Sequence, residues 1–336
     1  TICDERLLRI MQSFVLNLNL QFNFDSDNLQ CIPLKGGGSK AMLYRFDIEQ
    51  DSYVLRLLPP EANNLTRQHQ ITLAIQAGKI GVGPQILFVD PHMEAMVMSF
   101  ISGRTIQKID TKNEEHLASF AKTLKKLHTS TEKFPIAVSP FKRFHNFVKK
   151  GEKEIITYPS RFAEVKTLME ELETTFNLNP VALVPCHLDL HPLNILLSNQ
   201  EFLFVDWVNG GLSDPYFDLT TFSFFQDLSE AQTINFLTNY FERSPNEFEW
   251  NRFIVTKPIR LFVIAAALLS SFADKSRPIS YQEAMMTCTL PLLSDFEKIE
   301  KKGSLWLFGL ALLKSGLELI DQANFKAALA LIQKTP

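Results

Sequence analysis

The chain has 336 residues, 46% of them apolar, enough to bury a sizeable core divided between two lobes or domains. Its formal net charge of −3 supplies no broad cationic field, so nucleic-acid binding has no electrostatic basis. Cys3, Cys31, Cys186 and Cys288 are scattered without C-x-x-C pairing, which argues against a zinc site and a disulfide framework and fits a reducing cytoplasm. Asp4, Glu5 and Arg6 interrupt the start, so no signal peptide is expected. The apolar runs Leu261 to Leu269 and Leu305 to Leu313 fall short of the ~20 residues that cross a bilayer, so they read as buried helices and no membrane span is expected.

Residues 5 to 18 place Leu7, Leu8, Met11, Phe14, Val15 and Leu18 on one helical face, which predicts an amphipathic opening helix packed across the first lobe. The run Leu34 to Lys40 lies between predicted strands at 29–34 and 42–48. There Gly37 and Gly38 let backbone N–H groups approach a phosphate and Ser39 adds a hydroxyl; a plain flexible hairpin is the alternative. The next predicted strand, Tyr53 to Leu58, carries Arg56 in an apolar run. A charge there is costly unless it meets an anion, the alternative being an edge-strand arginine that reaches solvent. A helix from Glu61 to Ala77, stopped by Gly78, and strands at 85–89 and 95–100 complete a five-stranded first lobe.

Glu114 to His128 keeps helical spacing through Leu117, Phe120, Ala121, Leu124 and Leu127, with His128 as a core or cap residue. Phe141 to Glu154 mixes Lys142, Arg143, His145, Lys149 and Lys150 with aromatics, which suits a solvated helix face or a contact with substrate or an anion. The apolar run Val181 to Val184 enters a polar loop at Cys186 to Asn194, Ile195 to Leu197 leaves it, and Phe202 to Val205 delivers Asp206. Strand, loop and hairpin thus gather Asp189, Asn194 and Asp206 at one mouth, although Asp and Asn are also ordinary turn formers. Asp214 and Pro215 read as a helix start, with Asp at the N-cap and Pro first in the helix. After Asp218 the chain reads as helices at 229–241, one or two over 246–273 interrupted by Pro258, then 281–302 and 305–334.

His187, Asp189 and Asn194 fall at the intervals of the protein-kinase catalytic loop, H-R-D-x-x-x-x-N, and Asp206 follows where that fold carries a metal-binding Asp. The stretch D-W-V-N-G-G-L-S-D-P-Y-F-D-L-T at 206–220 resembles the I-D-W/F…G…D-P-x-x-D-L-A signature of the aminoglycoside phosphotransferase and choline kinase superfamily, strong identity being confined to 186–220. The resemblance implies an α+β, bilobal protein-kinase-like fold. An N-terminal antiparallel five-stranded sheet lobe, residues 1–101, would bind nucleotide, and a larger mainly helical lobe, residues 102–336, would carry catalysis and substrate. It further implies ATP- and Mg²⁺-dependent phosphorylation of a small-molecule hydroxyl. In that scheme Asp189 accepts or orients the hydroxyl proton, Asn194 and Asp206 hold metal, His187 braces the loop, and Asp218 ties the loop backbone to the following helix. Gly37, Gly38 and Ser39 cover the nucleotide, Arg56 meets its phosphates, and Ser99 and Ile101 lie in a hinge that holds adenine through backbone groups. The helix carboxylate expected opposite Arg56 is replaced by Gln70, which can hydrogen-bond the guanidinium but not neutralise it.

Choline, ethanolamine or a related amino alcohol would need a desolvated pocket of acids and aromatics, for which Trp207, Asp214 and Trp306 are available. The segment Leu305 to Lys314 resembles the W-x-L-W-A-L helix near the end of bacterial choline kinases, and a core helix is the alternative for the same spacing. The choline-kinase run D-F/W-E-Y has Val208-Asn209 here, so aminoglycoside and thiamine-type acceptors stay open. Protein substrates are disfavoured because no A-P-E-bounded activation segment follows Asp206. The rival from another class is a kinase-fold nucleotide-binding protein without turnover.

Overall fold

The computed structural model describes residues 5–17, 31–34, 41–159, 161–273 and 302–334. Helix α1 (Glu5–Asn17) turns Leu7, Ile10, Met11, Phe14 and Val15 inward, against Phe46, Leu55, Leu57, Ala95 and Val97 of the sheet. Burial of each such side chain is worth about 1.5–3 kcal/mol, so the helix is held by this face. The sheet is antiparallel throughout, with β1 (Ile32–Leu34), β2 (Met42–Ile48), β3 (Asp51–Leu57), β4 (Ile86–Val89) and β5 (Ala95–Ser99) in the order β1-β2-β3-β5-β4. Cys31, just before β1, is disulfide-bonded, its partner lying outside the described residues; the spacing of the cysteines did not reveal that bridge.

Helix α2 (Asn64–Ile80) begins and ends later than the expected 61–77. Asn63 is its N-cap, accepting from the Thr66 N–H at 2.8 Å, and Gly81, at φ 75°, closes it in the left-handed region. Gly78 lies inside the helix instead of stopping it. A Cβ there would stand 2.8 Å from the Pro84 carbonyl oxygen, so its missing side chain lets the chain return closely to the sheet.

The second lobe opens with β6 (Arg104–Thr105), α3 (Glu114–His128), α4 (Pro140–Lys153) and α5 (Phe162–Leu178). The short strands β7 (Val184–Cys186), β8 (Ile195–Ser198), β9 (Glu201–Phe204) and β10 (Gly211–Ser213) then pair as β6-β8-β9 and β10-β7. Among the described residues five helices follow: α6 (Tyr216–Phe225), α7 (Glu230–Phe241), α8 (Glu247–Phe272), α9 (Lys302–Asp321) and α10 (Ala323–Lys334). The helix expected at 281–302 falls outside the described residues but for its last one.

Helix α8 runs unbroken through Pro258 and packs against α4, α6, α9 and α10. By length and composition it could cross a membrane, but 72% of its most apolar window is buried in the protein, and it carries the buried Arg252 and Arg260. Phe120 of α3 stacks on Phe222 of α6 at 3.5 Å, fixing the two helices on either side of the loop that carries Asp189.

Candidate active site

The loop after β7 makes a left-handed turn at Leu188, φ 61°, which costs an L-residue with a bulky side chain about 1–2 kcal/mol. It is held from both sides. Asp218 of α6, fully buried, accepts from the N–H groups of His187 at 2.8 Å and Leu188 at 2.6 Å, while Arg260 of α8 donates to the Leu188 carbonyl at 2.5 Å. His128 adds a ring nitrogen to Asp218 at 3.1 Å and is itself bonded to the Tyr240 hydroxyl at 2.7 Å. Burial alone would raise the Asp218 carboxyl, yet the His128 bond and charge, with the loop N–H, hold it below the usual carboxylate range.

His187 is fully buried, its Nε2 bonded to the Val205 carbonyl at 2.9 Å and its ring 4.6 Å from that of Trp207. Burial pushes its pKa down against the pull of Asp218, Asp189 and Asp206. A neutral ring that clamps the loop to the end of β9 is the result.

Asp189, Asn194 and Asp206 converge. The Asn194 amide donates to the Asp189 carbonyl at 2.9 Å, and its Oδ1 makes no hydrogen bond among the described residues. The Asp189 carboxylate accepts from Asn209 Nδ2 at 3.0 Å and stands 3.7 Å from Arg260 Nη2 and 3.8 Å from His191 Nε2. Asp206 adopts φ 64° and turns its carboxylate to Arg56, at 2.6 Å. The guanidinium expected to meet phosphate, with the neutral Gln70 in place of a helix carboxylate, is paired across the cleft with an aspartate 150 residues away.

A cavity of about 370 Å³ runs between the sheet and this loop, lined by Val54, Arg56, Gln70, Met96, Met98, Ser99, Ile101, Leu196, Asn194 and Asp206 among others. Arg56 Nε and Gln70 Oε1 are buried without a partner among the described residues, the first a donor and the second an acceptor. Ser99 donates its N–H to the Gln85 carbonyl at 2.9 Å and accepts the Gln85 N–H on its hydroxyl oxygen at 3.0 Å. Ile101 N–H and C=O make no hydrogen bond among the described residues. Gly37, Gly38 and Ser39 lie outside the described residues.

The proposed cation pocket does not assemble. Trp207 is 4% exposed, donates to the Phe204 carbonyl at 3.1 Å, and forms a wall of the cavity rather than part of an aromatic cage. Asp214 is occupied by Arg252, at 2.6 and 3.1 Å, and by the Tyr216 N–H at 2.9 Å. Trp306, half-buried on α9, packs against the core of the helical lobe. Two residues that the sequence did not mark as site residues meet Asp189, Asn209 and Arg260, and Arg143 of α4, for which an anion contact was one alternative, donates to the Asn209 carbonyl at 3.0 Å. Arg260 could have been found, because it interrupts an apolar helix as Arg56 interrupts an apolar strand.

A five-stranded sheet over a helical lobe, with carboxylates and an amide at the mouth between them, defines a protein-kinase-like phosphotransferase. Residues 31–253 match the model of the phosphotransferase enzyme family (APH), and the chain belongs to that family. It is 26% identical over 226 residues to protein LicA of Haemophilus influenzae, an alignment covering 65% of this chain and 64%, just under two thirds, of LicA. Among solved structures it is similar to a choline/ethanolamine kinase family protein from Mesorhizobium loti, with TM-score 0.72 and 20% identity over 96% of this chain and 99% of that one. A spectinomycin phosphotransferase solved with ADP and spectinomycin superposes with TM-score 0.53 and 16% identity over 90% of this chain and 98% of that one.

Proposed function

We propose that this protein transfers the γ-phosphoryl group of ATP to a hydroxyl of a small molecule in the presence of Mg²⁺. The observation that carries the reading is that Asn194 and Asp206 line, with Arg56, one cavity between the lobes, and that Asn194 is bonded to Asp189 beside it. The apolar slot of Val54, Met96, Met98 and Leu196 suits a purine, with Ile101 offering its N–H and C=O. Arg56 Nε, without a partner among the described residues, can donate to a nucleotide phosphate, whereas Gln70 Oε1 can only accept and so needs a donor group of the ligand. Asn194 Oδ1 and the Asp206 carboxylate are hard oxygen donors fit for Mg²⁺, which would neutralise charge on the phosphates.

Asp189 positions the acceptor hydroxyl and takes its proton as the hydroxyl oxygen bonds to the γ-phosphorus; the bond from that phosphorus to the β-bridging oxygen breaks, and ADP leaves. In this division of labour residues 1–101 serve the nucleotide and 102–336 serve catalysis and the acceptor. An amino alcohol of the choline or ethanolamine type is the acceptor that the Mesorhizobium neighbour's name supports. An aminoglycoside is the second reading, supported by the spectinomycin phosphotransferase. ADP release with and without Mg²⁺, measured across amino alcohols, aminoglycosides and thiamine, tests the reading. Acceptor-dependent release that stops on chelation is expected; Mg·ATP binding with no release for any hydroxyl compound would leave a nucleotide-binding protein without turnover.

A further inference from the structure

The helical lobe sets Arg260 3.7 Å from the Asp189 carboxylate and ties Arg143 to Asn209, the residue that donates to the same carboxylate. Arg260 donates through Nε to the Thr221 hydroxyl at 2.8 Å and through Nη2 to the Leu188 carbonyl, and its Nη1 makes no hydrogen bond among the described residues. Among the described residues Arg143 bonds the Asn209 carbonyl alone, leaving Nε and Nη1 as donors, and no carboxylate comes within ion-pair distance of it. The other buried arginines of the site region are matched, Arg252 by Asp214 and Arg56 by Asp206.

Burial, and then the charge of Arg260, push the Arg143 guanidinium down to about 10, with Asp189 pulling the other way; it stays charged at neutral pH. Asp189, and for Arg260 also Asp218, offset these two charges in part, and a further anion beside Arg143 would relieve the rest. Arg143, Asn209 and Arg260 do not line the cavity between the lobes; they come to the Asp189 region from α4, the turn before β10 and α8.

We propose that the acceptor phosphorylated at Asp189 carries its own anionic group, a carboxylate or a phosphate, bound by Arg143 and Arg260. The planar fork of a guanidinium matches either anion, whereas a bare quaternary ammonium would meet two positive charges. The inference rests on the phosphotransfer reading above and departs from it at the acceptor, taking hydroxyl compounds that bear an acid in place of a simple amino alcohol or an aminoglycoside. Arg143 and Arg260 are then specificity-determining residues.

The test uses the full chain with Mg·ATP and a matched set of acceptors: glycerol, glycerate as the carboxylate arm, glycerol 3-phosphate as the phosphate arm, and ethanolamine and choline as the cationic arm. ADP release gives kcat and KM, and calorimetry gives binding. One of the two acids is expected to exceed glycerol in kcat/KM by about 10–100-fold, the scale of one charge-assisted contact, and the arm that does so names the anion. Arg143→Gln should collapse that ratio through KM, Arg143→Lys should keep part of it, and Arg143→Glu should shift preference towards ethanolamine. Choline or ethanolamine outpacing both acids in the unaltered chain overturns the proposal, as does an Arg143→Gln change that lowers kcat equally for acid and neutral acceptors, which would assign the guanidinium to the transferred group. If Mg·ATP binds while neither acid binds nor reacts, the proposal fails and phosphotransfer stands; if Mg·ATP does not bind, phosphotransfer fails and the proposal falls with it.

Discussion

Helix α8 presents two arginines to two aspartates, and the two pairs differ in kind. Arg252 and Asp214 are closed on each other. The carboxylate accepts two guanidinium bonds and a backbone N–H, while the guanidinium also bonds the Asn179 carbonyl at 2.7 Å and lies 3.6 Å over the Phe176 ring. Arg260 and Asp189 stop at 3.7 Å, and each keeps capacity for something else. A saturated pair welds α5, α6 and α8, whereas an unsaturated one is available for chemistry. The residue types are identical, so the role lies in how many partners the fold supplies.

The largest effect should come from Asp189→Asn. The amide keeps shape but cannot take a proton, so kcat should fall roughly 10²–10⁴-fold while Mg·ATP affinity and Tm hold, checked by ADP release, calorimetry and melting on one preparation. A collapse of Tm would place Asp189 with Asp214 instead. Arg252→Met should do the converse. It leaves Asp214 buried without its counter-charge, at a cost of about 3–5 kcal/mol in denaturant unfolding, while turnover per folded molecule persists.

The pH dependence of stability draws the same line at His187. Its folded pKa is depressed, chiefly by burial, so the unfolded chain takes up the proton first as pH falls. Its contribution is complete above the unfolded value of 6.5 and is lost as pH falls through the lower folded value. Melting across that window should fall with pH, and more shallowly in His187→Gln. The smallest effect is expected of Gln70→Glu. A carboxylate on α2 would draw Arg56 from Asp206 and free the latter for metal, tightening Mg·ATP about threefold by calorimetry.

The residues of 186–218 were legible because chemistry and local folding share one short stretch; the distances from Asp189 to Asn194 and from Asp218 to the Leu188 N–H are set within it. The partners that decide their meaning come from elsewhere. Asp214 was expected at the N-cap with Pro215 first in the helix, but Pro215 takes the N-cap position and Asp214 accepts the Tyr216 N–H from one residue earlier; nothing near it in sequence announces Arg252. Arg143 stood among lysines on an amphipathic helix, where its one inward donor looks like any other surface charge. Helix α5 went unread although Phe162, Val165, Met169, Leu172 and Phe176 repeat at helical spacing. Gly78 and Gly81 look equivalent in sequence, and only the backbone angle at Gly81 separates the terminus from the close contact.

The 2.6 Å contact between Arg56 and Asp206 turns nucleotide binding into an exchange. If the cavity takes a nucleotide, as proposed, a phosphate oxygen that claims Arg56 Nη2 would displace a carboxylate tethered to the same molecule, and a tethered group competes at an effective concentration on the order of millimolar. The same carboxylate would then compete with a product phosphate without having to diffuse to it.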